Sequence, residues 1–355
     1  MDIQGGNVLT GSADHGLKIH QIKNGFRVKE LYTKRFGHTE WVTVCAFLPD
    51  GRVISGGMDG RLLLWASGGV SCTECAGHTS SIASMAYNKN RSLFLTGAYD
   101  KKVLVWGSDF QSATKLPGSF PKPVNCLAFA PMGPGSSTSI AATGDGSGAI
   151  KVWDLTALKG LAKQVAAHKG PLTSVQWTSA HTVATIAQDG MLRLWDVRSG
   201  LEHPVGEVQA LGERIALTSL SPVWNSSSSC SIDAVDDDDN GGSDCQQLIV
   251  GGASPHTALV DVREWHPYAL GRGLSNDTRN EFVNVTHAVG SSYAVVASGR
   301  MGKSGLLSCF DLRDGSVKWR IEGDIAEAGA IEVIRQDRGT LITGNDQGNL
   351  GFLHF

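Results

Sequence analysis

The sequence predicts an all-β protein assembled from repeated small antiparallel sheets. Three observations carry that prediction. Glycine makes up 44 of 355 residues, well above the usual ~7% and the mark of many tight turns. Short apolar segments bounded by Gly, Asp, Asn or Pro recur along the chain, as at Val42–Phe47, Arg52–Ser55 and Arg61–Trp65; their length and flanking turn residues are those of strands. A set of four residue types also returns at fixed offsets.

Composition removes whole classes of function. The net charge is −3 and the isoelectric point about 6.4, so no basic field points to nucleic acid or an anionic membrane surface. No apolar run approaches the ~20 residues that span a bilayer. The opening segment Met1–Asp14 lacks the basic and apolar regions of a signal peptide. Seven scattered cysteines, an odd count, fit reduced thiols in the cytosol or nucleus better than a disulfide frame. On that reading the sequons at Asn225, Asn276 and Asn284 are chance.

The repeat is plainest in three segments. Gly37-His38 leads to Ser55, Asp59 and Trp65; Gly77-His78 to Thr96, Asp100 and Trp106; Ala167-His168 to Thr185, Asp189 and Trp195. His and Asp stand 21, 22 and 21 positions apart, Asp and Trp 6, and Ser/Thr and Asp 4. This pattern resembles the WD40 repeat, a unit of ~40–45 residues that forms one four-stranded blade of a β-propeller. Weaker copies fill the rest. One has Thr10, Asp14 and, in the Trp place, His20; another has Ser147 in the Asp place before Trp153-Asp154. Two end in Val260-Asp261-Val262-Arg263 and Phe310-Asp311-Leu312-Arg313, and the last, with Thr343 and Asp346 one residue short of the offset, ends near Phe352.

The resemblance implies one WD40 β-propeller over residues 1–355. Eight repeats favour eight blades, with a seven-bladed ring plus a displaced unit as the alternative. The N-terminal blade is expected to be incomplete. Its strands read as Asn7–Ser12, Leu17–Ile22 and Val28–Thr33, with no room for an innermost strand before Asn7. The last repeat offers Ala330–Arg335, Thr340–Gly344 and Leu350–Phe355. Most proteins of this family complete the last blade with an N-terminal strand, so a longer upstream exon is expected. Residues 225–246 hold a Ser run and Asp236–Asp239, a composition too polar to bury a core. They read as a disordered loop between blades, either a solvated spacer or a phosphorylatable tether for a basic partner. His266–Asn280 reads as a second, looser connection.

The resemblance also assigns roles. His38, Ser55, Asp59 and Trp65 form a hydrogen-bonded structural set within one blade, as do His78, Thr96, Asp100 and Trp106, and His168, Thr185, Asp189 and Trp195. The family's partner-binding face falls on Trp41, Thr43 and Met58, on Ser81, Ala83 and Tyr99, on Pro171, Thr173 and Gln188, and on Arg214. Trp41, Met58, Tyr99 and Arg214 are types enriched in interfaces; the competing reading has Trp41 and Tyr99 covering blade edges. Arg198, which closes Trp195-Asp196-Val197-Arg198, resembles the arginine with which substrate receptors of a cullin-4 ubiquitin ligase reach their adaptor, and Arg263 and Arg313 echo it. Ile186 departs from that motif.

Other motifs point elsewhere. Ala297–Ser304 matches a permissive phosphate loop, which requires a strand before it and a helix after it; the following Leu306–Asp311 reads as a strand, which leaves a nucleotide-binding enzyme as the weakest alternative. Cys72, Cys75 and His78 have zinc-like spacing but lack the fourth ligand of a structural site. Cys230 and Cys245 flank the acidic loop and would pair only under oxidation. No G-x-S-x-G elbow precedes a helix. The expectation is a non-catalytic scaffold in the cytoplasm or nucleus, with protein or peptide partners and no cofactor, metal, nucleic acid or membrane.

Overall fold

The computed structural model describes all residues except 34, 89–91, 108, 111, 119, 132–138, 162–164, 225–244, 271–280, 301–302, 323–330, 338, 346–349 and 355. The strands lie in eight antiparallel sheets that follow one another along the chain, the arrangement of an eight-bladed β-propeller. The first comprises β1 (Asp2–Gln4), β2 (Asn7–Gly11), β3 (Leu17–Gln21) and β4 (Arg27–Leu31). The second comprises β5 (Val42–Phe47), β6 (Val53–Gly57), β7 (Leu62–Trp65) and β8 (Cys72–Cys75). The third comprises β9 (Ile82–Asn88), β10 (Leu93–Ala98), β11 (Val103–Trp106) and β12 (Ala113–Lys115). In the fourth, β13 (Val124–Phe129), β14 (Ile140–Asp145) and β15 (Ala149–Asp154) are followed by an outer strand in two pieces, β16 (Lys159–Gly160) and β17 (Val165–Ala166).

The fifth sheet holds β18 (Leu172–Trp177), β19 (Thr182–Ala187), β20 (Met191–Asp196) and β21 (Gly206–Gln209). The sixth holds β22 (Leu217–Val223), β23 (Gln247–Gly252), β24 (Thr257–Asp261) and β25 (Pro267–Leu270). The seventh holds β26 (Glu281–Val289), β27 (Tyr293–Arg300), β28 (Lys303–Asp311) and β29 (Val317–Glu322). The eighth holds β30 (Ile331–Asp337), β31 (Thr340–Asn345) and β32 (Leu350–His354).

The chain divides into two compact units. The first spans Met1–Phe129, Thr138–Gly146 and Trp153–Gly160. Its apolar clusters each draw on two successive sheets: Leu9, Leu17 and Leu31 meet Val42, Leu63 and Trp65, and Ile54 and Leu62 meet Ile82, Phe94 and Trp106. The second spans Ala130–Ser137, Ser147–Val152 and Leu161–Phe355. Its clusters follow the same rule, with Leu192 and Leu194 against Leu217 and Leu248, and Val295 and Leu307 against Ile334 and Leu341. A lone sheet would leave these side chains wet, and burial of each stabilises by about 1.5–3 kcal/mol. The close approach needs glycine: a Cβ on Gly97 would lie 2.7 Å from Val124 Cγ1, and one on Gly251 would meet Val283.

Seven innermost strands shift register near their start, between Val42 and Val44, at Ala83, and between Val124 and Cys126, Leu172 and Ser174, Leu217 and Ser219, Val283 and Val285, and Ile331 and Val333. Such bulges re-aim one side chain.

Several expectations are corrected. The N-terminal blade is complete, because Asp2–Gln4 pairs with Asn7–Leu9. Three residues suffice for that strand, and Asp2 Oδ2 accepts the Phe47 N–H at 2.7 Å. His266–Asn280 is not all connection, since Pro267–Leu270 is the sixth sheet's fourth strand. In the last repeat Leu353, not Phe352, takes the Trp place, because it pairs with Leu341 as Trp65 pairs with Val53. Most of the 225–246 loop, with Cys230, lies outside the described residues; Cys245 is buried and its N–H reaches Thr178 O at 2.7 Å.

Candidate partner-binding face

Three histidine sets each lie within one sheet. In the second sheet Trp65 Nε1–H donates to Ser55 Oγ at 2.9 Å, and Ser55 Oγ lies 2.8 Å from His38 Nε2. His38 Nδ1 lies 3.0 Å from Asp59 Oδ1. The indole can only donate, so the serine oxygen accepts it and sends its own hydrogen to Nε2. That places the imidazole hydrogen on Nδ1, facing the carboxylate. Thr39 N–H and Arg61 N–H complete the Asp59 shell at 3.0 and 3.1 Å. The third and fifth sheets repeat the chain through Trp106, Thr96, His78 and Asp100 and through Trp195, Thr185, His168 and Asp189.

The network is satisfied with a neutral histidine. Burial pushes His38, His78 and His168 below the ordinary 6.5, outweighing the neighbouring carboxylates. Burial alone would raise Asp59 and Asp189; the backbone N–H groups of Thr39 and Lys169 and the histidines outweigh it and hold both below 3.8. Each polar atom is spent inside its own sheet, and His38 and His168 are buried. Such a set holds strands together and offers no atom to a substrate.

The predicted face residues divide by fate. In the first unit Trp41, Met58 and Tyr99 are 53%, 47% and 55% exposed. They are held rigidly from behind: Met58 N–H donates to Trp41 O at 2.8 Å and Tyr99 N–H to Ser81 O at 2.8 Å. The Gly60 turn abuts the Ser80 backbone, which carries the contact from the second sheet to the third. Ser81 and Ala83 are half-buried. In the second unit Gln188 and Arg214 are exposed and Pro171 is half-buried, its carbonyl taking the Gln188 N–H at 3.1 Å.

Thr43 is exposed and Thr173 half-buried. Both sit in the bulges, and their hydroxyls are occupied. Thr43 Oγ1 lies 3.1 Å from Gly56 O and 2.6 Å from Ile82 O of the next sheet. Thr173 Oγ1 spans Ile186 O and Leu217 O in the same way. The bulge leaves carbonyls without ladder partners, and the threonines supply the missing donor.

The three predicted docking arginines share one local structure. Arg198, Arg263 and Arg313 each fold back on the Asp two residues earlier, with Nη2 to Asp196, Asp261 and Asp311 at 2.7, 2.7 and 2.6 Å. The Arg313 guanidinium pulls the Asp311 carboxyl well below its usual range. All three guanidinium groups remain exposed. Sequence reasoning missed Arg61 and Arg193, which brace the outer strands through Glu74 and Glu207 at 2.8 Å.

The remaining motifs lose their chemistry. Of Ala297–Ser304, Ala297–Arg300 lie on β27 and Lys303 and Ser304 on β28, while residues 301–302 lie outside the described residues; a strand thus stands where a phosphate loop needs a helix N-terminus. Cys72 and Cys75 fall on opposite faces of β8, Cys75 in the cluster with Ile82 and Cys72 against that of Trp65. Among the described residues no three His, Cys, Asp or Glu side chains stand together as a metal site would need.

A family model for the WD domain, G-beta repeat, matches residues 29–66, 69–107, 110–154 and 160–196. The chain is similar to a ribosome biogenesis protein WDR12 homolog of Chlamydomonas reinhardtii, 28% identical over 59% of this chain and 56% of that protein. It is also similar to a WD repeat-containing protein 91 homolog of Dictyostelium discoideum, 28% identical over 56% of this chain and 26% of that protein, and to telomerase protein component 1 of Mus musculus, 23% identical over 54% and 7%. The chain thus spans little more than half of these relatives' length, or less. Among solved structures the computationally designed Ika8 protein matches 99% of this chain and 94% of its own at a TM-score of 0.74 and 18% identity, a likeness of fold alone.

Proposed function

Because the chain belongs to the WD40-repeat family, we propose that it is a non-catalytic scaffold that assembles protein complexes through the face bearing Trp41, Met58 and Tyr99. The observation that supports this most is the exposure of three large apolar side chains on backbone pinned by hydrogen bonds. Rigid aromatic anchors lose little entropy on binding and dominate interface energetics. Relatives named for ribosome biogenesis make a nuclear assembly the first place to seek the partners. Among the described residues no helix is long and apolar enough to cross a membrane.

The test is affinity purification with mass spectrometry on wild type and a Trp41→Ala/Tyr99→Ala variant. A hot-spot loss of about 2 kcal/mol per anchor lowers partner recovery more than tenfold; unchanged recovery with an unchanged fold overturns the proposal. The identical presentation of Arg198, Arg263 and Arg313 favours a second reading, docking to a ubiquitin-ligase adaptor. It predicts co-purification lost in an Arg198→Ala/Arg313→Ala variant.

A further inference from the structure

Resting on the reading that the face bearing Trp41, Met58 and Tyr99 binds proteins, we propose that its partner is an acidic peptide segment. Apolar side chains of that segment lie on the three anchors, and the Asp or Glu side chains that follow reach Lys101 and Lys122.

The face continues into the fourth sheet. Register makes Gly146 the counterpart of Met58 and Tyr99, because Val124 pairs with Asp145 as Val42 pairs with Gly57 and Ile82 with Ala98. The main chain agrees: Gly146 N–H donates to Pro123 O at 2.9 Å, as Met58 and Tyr99 donate to Trp41 O and Ser81 O. Where two sheets raise a large apolar side chain, the fourth raises none. A Cβ on Gly146 would lie 3.3 Å from Lys122 Cβ, so Lys122 borders the step down beyond Tyr99.

Lys101 reaches the same place from the third sheet. It stands two residues after Tyr99 in the turn, and its carbonyl takes the N–H of Phe120, two residues before Lys122, at 3.5 Å. Both lysines are exposed, and neither has an ion-pair partner among the described residues. Asp100, between Tyr99 and Lys101, is already committed. Its enclosed carboxylate is held by His78, by the Thr79 and Lys102 N–H groups and by Lys102 Nζ. Asp145 is buried. At the other end of the row the residue beside Trp41 is Glu40, which is exposed.

Charge therefore decides what the apolar anchors accept. Two unneutralised ammonium groups favour carboxylates and penalise basic segments, and it is through such repulsion that interfacial charge sets specificity. Each ammonium is a point charge on a flexible stem, suited to carboxylates in more than one position. Glu40 gives the segment a direction, with its apolar residues over Trp41 and Met58 and its acidic residues beyond Tyr99.

The test is selection of a random peptide library displayed on phage against the immobilised full chain, followed by affinity measurements on the selected peptides. These should carry Asp or Glu beside apolar residues and be depleted of Lys and Arg. Lys101→Glu/Lys122→Glu should weaken their binding at least about tenfold, whereas Lys101→Arg/Lys122→Arg should keep it within about threefold. An unchanged denaturation midpoint would show that each variant keeps its fold. Peptides that need Trp41 and Tyr99 but carry no acidic excess, or that bind the charge-reversed variant equally well, would overturn this proposal and leave the reading of the face standing. Failure to select any peptide whose binding is lost in Trp41→Ala/Tyr99→Ala would overturn both.

Discussion

In the second sheet His38, Asp59, Ser55 and Trp65 are linked by hydrogen bonds; in the seventh, Val296 stands in the serine's place and Phe310 in the tryptophan's, both buried. The sixth makes the same exchange with Val250 and Val260. Neither sheet keeps a stray hydroxyl or indole at these positions. A buried donor without its acceptor costs far more than an apolar pair of similar shape, and in the sixth and seventh sheets both polar members are replaced together. The later sheets are stitched differently. Thr218 Oγ1 reaches Val283 O at 3.0 Å, and the Ser219 and Ser221 hydroxyls accept the Thr286 and Ala288 N–H groups at 2.8 and 3.1 Å.

The sharpest way to break this comparison is to orphan a donor. Thr96→Val leaves the Trp106 N–H buried without its acceptor and should cost about 2–4 kcal/mol by chemical denaturation. Adding Trp106→Phe, which copies the seventh sheet, should restore part of that loss, with a coupling of about 1 kcal/mol or more in a double-mutant cycle. The converse intrusion, Val296→Thr, puts a hydroxyl in the serine's place of a sheet with no indole to donate to it and should cost about 1–3 kcal/mol. Thr43→Val removes the bridge between Gly56 O and Ile82 O and should cost about 1 kcal/mol.

Acid sharpens the contrast more gently. The folded His38, His78 and His168 titrate below 6.5, so the unfolded chain binds more protons as pH falls below that value. Their contribution is complete above 6.5 and is lost toward the folded values. Asp59 and Asp189 add a second loss, beginning below their ordinary 3.8. Amide protection, corrected for the intrinsic exchange rate at each pH, should therefore fall between pH 7 and 4 in the second, third and fifth sheets and in the seventh, where burial pushes His287 down to about 4; an equal fall in the sixth would contradict this account.

Legibility in the sequence followed geometry. The histidine sets could be read because strand pairing converts constant offsets into contacts, and the exposure of Trp41, Met58 and Tyr99 because the same register places them at the strand ends. β1 escaped notice because three residues show no periodicity. The main-chain bonds of Thr43 and Thr173 were not legible, because only the bulge brings their hydroxyls to carbonyls of the neighbouring sheet. The Asp–Arg clips were hidden because residues two apart meet only where the chain leaves the strand, as at Val197–Ser199.

Gly97 and Gly251 set a limit of a different kind. There the side chain of the next sheet occupies the volume a methyl group would need. The repeats drift widely in their polar chemistry, yet at these two places a single hydrogen atom serves as the spacer. Mutational tolerance should therefore be lowest where the residue is smallest, and an alanine there would act as a wedge between layers.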